Sequence, residues 1–250
     1  MQILVEAGVI LLAYIFGSIP FGLLIVRLTT GKDLREVASG RTGGTNAARA
    51  AGIGAGLLTA LMDGLKGAAS VWMTQAIFPG NHWMEILAPI AAILGHNYSI
   101  FLAERNENGS LRLRGGAGGA PTVGGAVGMW GPSLWIIVPV GVLVFFGIGY
   151  ASVTTISIAV IVTIIFTVRY FMGLAPLQFV LYGLVACILL VWSLRPNIRA
   201  LMEGRERFHG WRPWRKTESV FAEAEKPQTR ARSAQKKSPV SQHKKAMQRK

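Results

Sequence analysis

Apolar residues run along this chain in seven long stretches separated by short polar segments, at roughly 4–28, 53–78, 83–102, 117–131, 133–150, 152–168 and 172–194. A helix that crosses a bilayer takes about 20 mostly apolar residues, so the pattern predicts seven transmembrane helices. The fourth stretch is short and glycine-rich, which fits a tilted or re-entrant segment. Residues 133–168 are almost uninterrupted and too long for one helix, and a break near Gly147, Gly149 and Tyr150 divides them. The first stretch lacks a basic leader and a small-residue cleavage site, so it reads as a retained span and not a signal peptide.

The polar segments differ in charge. The 29–52 loop carries Lys32, Arg35, Arg41 and Arg49, and the 103–116 loop carries Arg105, Arg112 and Arg114. The 79–82 turn has no Lys or Arg. Such a bias marks the cytoplasmic side. The expected architecture is therefore an all-α integral membrane protein, with the N-terminus outside and the C-terminus in the cytoplasm. Arg169 falls on the other side of this scheme. Composition agrees with a membrane protein: 51% of residues are hydrophobic, 15% are charged, and the mean hydropathy is +0.42. These values exclude a chain disordered throughout and weigh against an ordinary soluble domain.

The basic charge is concentrated at the end. Residues 205–250 hold 14 Lys/Arg and 4 Glu, a net of +10; residues 1–204 hold 12 Lys/Arg and 8 Asp/Glu, a net of +4; together they make +14. This divides the chain into a membrane domain, 1–204, and a basic cytoplasmic tail, 205–250, too polar to fold alone. The tail reads as a solvated segment, with contact to anionic lipid as the alternative; no specific nucleic-acid role is expected. Trp211 and Trp214 suit an interfacial belt. Cys187 stands alone and reads as a small core residue.

Three polar clusters reach one membrane face: ASGRTGGTNAARAAG (38–52), RLRGGAGGAPTVGG (112–125) and RPNIRALMEGRE (195–206). In the first, Ser39, Thr45 and Asn46 offer hydroxyl and amide groups, Gly40 lets the backbone approach a ligand, and Arg49 can fork onto a phosphate. In the second, Gly115, Gly116, Gly118 and Gly119 open the fourth stretch behind Arg112 and Arg114, the arrangement of an anion cradle at a helix start. It is not a Walker loop, which needs Gly-Lys-Ser/Thr. In the third, Asn197, Gly204 and Glu206 accompany Arg195 and Arg199. Asp63 and Lys66 share a helix face and persist inside a membrane only if paired or facing a wet cavity. His96 is either a structural histidine or a general base. No metal is expected, because no ligand-spaced set surrounds it. Apolar spans alone leave channel, transporter and lipid enzyme open; glycine-rich basic loops narrow the choice to a site holding phosphate beside lipid.

Six segments carry a family resemblance: GSIPFG from Gly17, GKDLREVASG from Gly31, TNAAR at 45–49, DGLKG at 63–67, GHNYSIFL at 95–102 and RPNI…GRE at 195–206. In this order they resemble the bacterial membrane family of acyl-phosphate-dependent glycerol-3-phosphate acyltransferases. The resemblance implies an enzyme of the bacterial plasma membrane, with its active site on the cytoplasmic face. It would move a fatty acyl group from acyl phosphate to the 1-hydroxyl of glycerol 3-phosphate, yielding lysophosphatidate and phosphate with no cofactor. By position, Ser39, Gly40, Thr45, Asn46 and Arg49 fall on its first motif, Gly115, Gly116 and Gly118 on its glycine loop, and Asn197, Gly204 and Glu206 on its third motif. The chain departs from the family pattern at Ala117, where a lysine is expected, at Leu194 in place of a histidine, and at Arg41 in place of an asparagine. About ten extra residues, ERNENGSLRL (104–113), precede the glycine loop. Relocated charge, Arg114 with Arg112 or Arg41, is the expected replacement for the lysine. Positioning catalysis is expected, with a substrate phosphate oxygen or His96 taking the proton. The alternatives are the same fold with another acceptor or donor, a transporter, and a non-catalytic lipid-binding protein.

Overall fold

A computed structural model of the chain describes residues 1–105 and 108–209. The expected tail, with Trp211 and Trp214, lies outside the described residues from position 210 onward. In chain order the elements are α1 (Gln2–Ser18), α2 (Phe21–Thr30), α3 (Gly44–Ala51), α4 (Ile53–Ile77), α5 (His82–Asn97), β1 (Ser99–Arg105), β2 (Leu111–Arg114), α6 (Gly119–Met129), α7 (Leu134–Ile148), α8 (Ala151–Phe171), α9 (Leu177–Ser193) and α10 (Arg195–Met202).

Every apolar stretch contains helix. The first holds two, α1 and α2, divided at Pro20, whose nitrogen carries no hydrogen to donate. With 11 residues, α6 is about 16 Å long at 1.5 Å per residue, roughly half of a hydrocarbon core of about 30 Å. Its brevity matches its glycine-rich sequence. Among the described residues, Gln2–Thr30, Gly131–Ile148 and Ala151–Phe171 are long and apolar enough to cross a membrane, and α9 with α10, bent by 63°, makes a fourth if counted as one. Large apolar side chains face outward, among them Leu143 at 71%, Trp135 at 79% and Phe171 at 82% exposure, as lipid contact allows and water does not.

Two expectations are corrected. The third apolar stretch does not stay helical to residue 102, and the fold is mostly helical but not all-α. After Asn97 the chain extends into β1, which pairs antiparallel with β2, Ser99 opposite Arg114 and Glu104 opposite Arg112. Tyr14 Oη donates to Tyr98 O at 2.9 Å and Ser99 Oγ donates to Ser18 O at 2.5 Å, anchoring the exit from α5 to the end of α1. Leu102 then turns inward against Leu23, Val26, Leu34 and Ala47. Of the extra segment, Glu104 and Arg105 pair with Arg112 and Leu111 in this hairpin.

Glycine sets how closely the helices approach. A Cβ on Gly124 would lie 1.7 Å from Gly64 O, and one on Gly67 would lie 2.1 Å from Pro121 O, so α4 and α6 meet backbone to backbone, the small-residue packing usual in membranes. The apolar core sits around Tyr182, Phe166, Ile137 and Val162. Tyr182 is buried, and its hydroxyl donates to Thr122 O at 3.0 Å, joining α9 to α6.

One ion pair fixes the arrangement. Lys66 Nζ lies 2.8 Å from Asp63 Oδ1, with 0% and 1% of the two side chains exposed. Lys66 also donates to Gly17 O at 3.1 Å and Ile19 O at 2.5 Å. Those carbonyls sit where Pro20 ends α1, so the cation on α4 satisfies the break in the first span. Replacing Lys66 with Met leaves the buried Asp63 carboxylate without its ammonium partner, and should cost about 3–5 kcal/mol. Thermal unfolding in detergent should show a large drop in midpoint for Lys66→Met and a smaller one for Lys66→Met combined with Asp63→Leu.

Candidate active site at the junction of three loops

The first cluster is a loop stapled from inside. Asp33 accepts from Arg35 N at 2.9 Å and opens a single 3-10 turn at Leu34–Glu36. The chain then takes left-handed backbone at Ala38 and Gly40, φ 45° and 67°. Asn46, buried on α3, donates through Nδ2 to Val37 O at 2.9 Å, Arg41 O at 2.9 Å and Leu34 O at 3.3 Å. Its amide therefore shapes the loop. Ser39 and Thr45 are exposed beside it.

The second cluster is held by main-chain bonds. Gly116 N donates to His96 O at 2.9 Å, and Thr42 N donates to Gly115 O at 3.4 Å. A Cβ at Gly116 would lie 1.9 Å from His96 Nε2, so the imidazole packs flush on the loop. The other ring nitrogen, Nδ1, lies 3.5 Å from Asp63 Oδ1. Gly118 caps α6 with φ 94°. Beyond it the first amides of α6 have no helical acceptor, as at any helix start, and an N-terminus attracts anions. Asn97 stands against this cap. Both its amide atoms are buried without a hydrogen-bond partner, within 2.9–3.1 Å of where a Gly118 Cβ would be. A buried amide left unsatisfied costs about 1–3 kcal/mol, which a ligand in the cradle would recover. Gly119 faces Thr155 of α8, 3.0 Å from its would-be Cβ.

The third cluster joins the other two through Arg41. Its Nε donates to Asn197 Oδ1 at 3.1 Å, its Nη1 to Gly116 O at 2.9 Å and to Ser193 Oγ at 3.2 Å, and its Nη2 to Ser193 O at 2.5 Å. One guanidinium thus spans residues 41, 116, 193 and 197. Burial lowers the pKa of Arg41 from its ordinary value, yet arginine stays charged in proteins.

Other expected residues lie elsewhere or hold other partners. Arg114 lies 2.9 Å from Glu104, which also pairs with Arg35 at 3.0 Å. Arg35 in turn holds the Asp33 carboxyl down to about 2 through its hydrogen bond. Arg112 is exposed on β2. Glu206 accepts from Ser152 N at 3.1 Å and from Ser152 Oγ at 2.5 Å, so it caps the start of α8. Gly204 is exposed, with φ 68°, just past α10. Arg49 meets His209 Nε2 at 2.5 Å through Nη2, and burial lowers its pKa. Asn97 and Ser193 are the residues the sequence motifs did not single out as ligands; the Asn that follows His96 in GHNYS is the signal for the first.

A family model described as glycerol-3-phosphate acyltransferase matches residues 7–204. A glycerol-3-phosphate acyltransferase of Rubrobacter xylanophilus is 37% identical over 209 residues, covering 84% of this chain and 98% of the relative. One from Thermus thermophilus is 38% identical over 205 residues, covering 81% and 94%. Among solved structures, the glycerol 3-phosphate form of PlsY (YgiH), an integral membrane glycerol 3-phosphate acyltransferase, matches with a TM-score of 0.70 and 29% identity, covering 82% of this chain and 96% of that one. Its lysophosphatidic acid form matches with a TM-score of 0.67 and 27% identity, covering 81% and 94%.

The Arg49–His209 contact generates a pH prediction. Burial and then the charge on Arg49 hold His209 below its ordinary pKa, so at neutral pH it is uncharged. The unfolded chain binds this proton more readily than the folded one. Stability from His209 is therefore lost as pH falls below about 6.5. The thermal midpoint should fall between about pH 7 and about pH 5.5, and His209→Gln should flatten part of that slope.

Proposed function

The chain belongs to the glycerol-3-phosphate acyltransferase family and transfers an acyl group to glycerol 3-phosphate; from that premise we propose that the donor is acyl phosphate and that the junction of the three loops is the active site. The acceptor hydroxyl attacks the acyl carbonyl carbon, the bond from that carbon to the phosphate oxygen breaks, and inorganic phosphate leaves. Acyl phosphate is already a mixed anhydride, so no covalent enzyme intermediate is required. Positioning supplies the rate, and aligned reactants gain up to about 7–11 kcal/mol. The observation that carries this reading is the unpartnered Asn97 amide at the open start of α6, where a developing phosphate charge finds donors ready oriented.

The proton of the hydroxyl goes to a phosphate oxygen of a substrate. The close packing of His96 on Gly116 supports this choice, because it gives the imidazole a supporting role under the loop. Ser39, Gly40, Thr45 and Arg49 of the first motif, and Gly115, Gly116, Gly118 and Gly119 of the second, surround the substrates; Asn46 acts by shaping the loop. An apolar groove of about 370 Å³ between α7 and α8, lined by Val140, Val144, Val153, Ile156, Val160 and Ile161, is the seat for the acyl chain. The contact of Thr155 with Gly119 brings α8 beside the glycine loop and supports this assignment.

The protein sits in the bacterial plasma membrane with seven spans, the N-terminus outside and the site toward the cytoplasm. The Lys/Arg bias of the loops supports that orientation. Arg169, which falls outside the bias, is held at the end of α8 by donation to Leu174 O at 3.0 Å and lies 3.9 Å over the Trp130 ring. Such a pairing suits an interface on either side.

In liposomes, purified protein given acyl phosphate and glycerol 3-phosphate should release phosphate and form lysophosphatidate; no release with acyl phosphate but transfer from another acyl donor would overturn the donor assignment. Asn97→Ala should lose about 10²-fold or more in turnover while its thermal midpoint stays level or rises, since the amide it removes has no partner to lose.

A further inference from the structure

The basic residues around the three loops differ in what neutralises them. Arg35 pairs with Asp33 at 2.7 Å and Glu104 at 3.0 Å, and Arg114 with the same Glu104. The Glu206 carboxylate is taken by Ser152. Arg41 has no carboxylate within ion-pair distance among the described residues. A guanidinium carries five N–H groups. Four from Arg41 go to neutral oxygens: Asn197 Oδ1, Gly116 O, Ser193 Oγ and Ser193 O. The fifth, on Nη2, has no acceptor among the described residues, and neither has the Nδ2 amide of Asn197.

A cation held among dipoles, partly shielded from water, attracts an anion more strongly the drier its surroundings. The planar fork of arginine matches phosphate oxygens. The carbonyl it grips, Gly116 O, lies two residues before Gly118, where α6 begins and the Asn97 amide waits. Charge, spare donors and an open helix start meet on one loop.

We propose that Arg41 is a phosphate-recognising residue of this site: it ties the three loops together through neutral oxygens and presents its unpaired charge to a substrate phosphate. The assignment rests on the active-site location proposed above. Both substrates carry phosphate, so the group recognised belongs to the acceptor or to the donor. Arg41 also sets specificity, because an acceptor or donor without phosphate leaves its charge unanswered.

The test uses inorganic phosphate and full-length protein in detergent micelles. Phosphate should raise the thermal midpoint of the wild type. Arg41→Asn should weaken apparent phosphate affinity by about tenfold or more. Adding Ala117→Lys to Arg41→Asn returns a cation to the residue after Gly116 without rebuilding the lost hydrogen bonds, and should recover most of that affinity. A merely structural strut would not be rescued in this way. In liposome assays, a rise in KM confined to glycerol 3-phosphate assigns Arg41 to the acceptor, and one confined to acyl phosphate assigns it to the donor. Should Arg41→Asn fail to fold, Arg41→Lys carries the measurement: it keeps the charge, and phosphate affinity within about fivefold of the wild type is expected. Phosphate affinity unchanged in folded Arg41→Asn, no recovery on adding Ala117→Lys, or loss of binding in folded Arg41→Lys would each overturn the proposal. A wild type that binds phosphate through Arg41 yet transfers no acyl group from acyl phosphate would leave Arg41's role standing and sink the donor assignment instead.

Discussion

The buried contact between Lys66 and Asp63 is the constraint on which the rest of the molecule hangs. Both charges are almost wholly withdrawn from solvent, a situation tolerable only with close partners. The ammonium finds three, the Asp63 carboxylate and two carbonyls at the end of α1. It thus ties α4 to the interruption in the first span. The carboxylate, on its other flank, faces the ring of His96 on α5. His96 supports Gly116 with its ring and binds it with its carbonyl. From there Arg41 continues the chain of contacts to α9 and α10. A polar spine therefore runs from the middle of the bundle to the site, through helices whose outer faces are apolar.

Electrostatics distinguishes the two ends of that spine. In the interior Lys66 and Asp63 answer one another. At the loops the carboxylates of Asp33 and Glu104 answer Arg35 and Arg114, which fastens the β-hairpin to the first loop. Among the described residues Arg41 and Arg49 have no carboxylate at ion-pair distance; Arg49 meets the imidazole of His209. A surplus of this kind suits an enzyme whose acceptor, glycerol 3-phosphate, is an anion.

Much of this fold is legible in the sequence. The seven apolar stretches each contain helix, the glycine-rich fourth is short, and the long run 133–168 divides at Gly149 and Tyr150 as its length requires, whereas the first stretch, read as one span, is broken at Pro20. These features are local, set by hydrophobic runs and by residues that lack a hydrogen or a side chain. The hairpin is not legible in the sequence because Ile100 to Leu102 are as apolar as a span, and the strand forms only where Ala103 to Arg105 meet Leu111 to Leu113 on the returning chain. The bonding of Arg41 was out of reach for a different reason. Its partners lie 75 to 156 residues away, and nothing in a loop's own composition says which arginine will be the one enclosed. Arg114, adjacent to the glycines, was the more obvious candidate by sequence, but the hairpin turns it to Glu104. Glu206 looked like a headgroup ligand for the same reason, since its tie to Ser152 depends on how the chain returns past α8.

The glycine loop is attached to its surroundings mainly through peptide groups: Gly116 N to His96 O, Gly115 O to Thr42 N, and Gly118 at the helix start. Peptide groups are the same whatever side chain they carry. A mount of that construction keeps its shape while the residues hanging from it drift, so a positive charge can pass over time from one segment of the junction to another without moving the loop it faces. Diversity of headgroup chemistry within such a scaffold then needs no new fold, only a different tenant at one of a few adjoining positions.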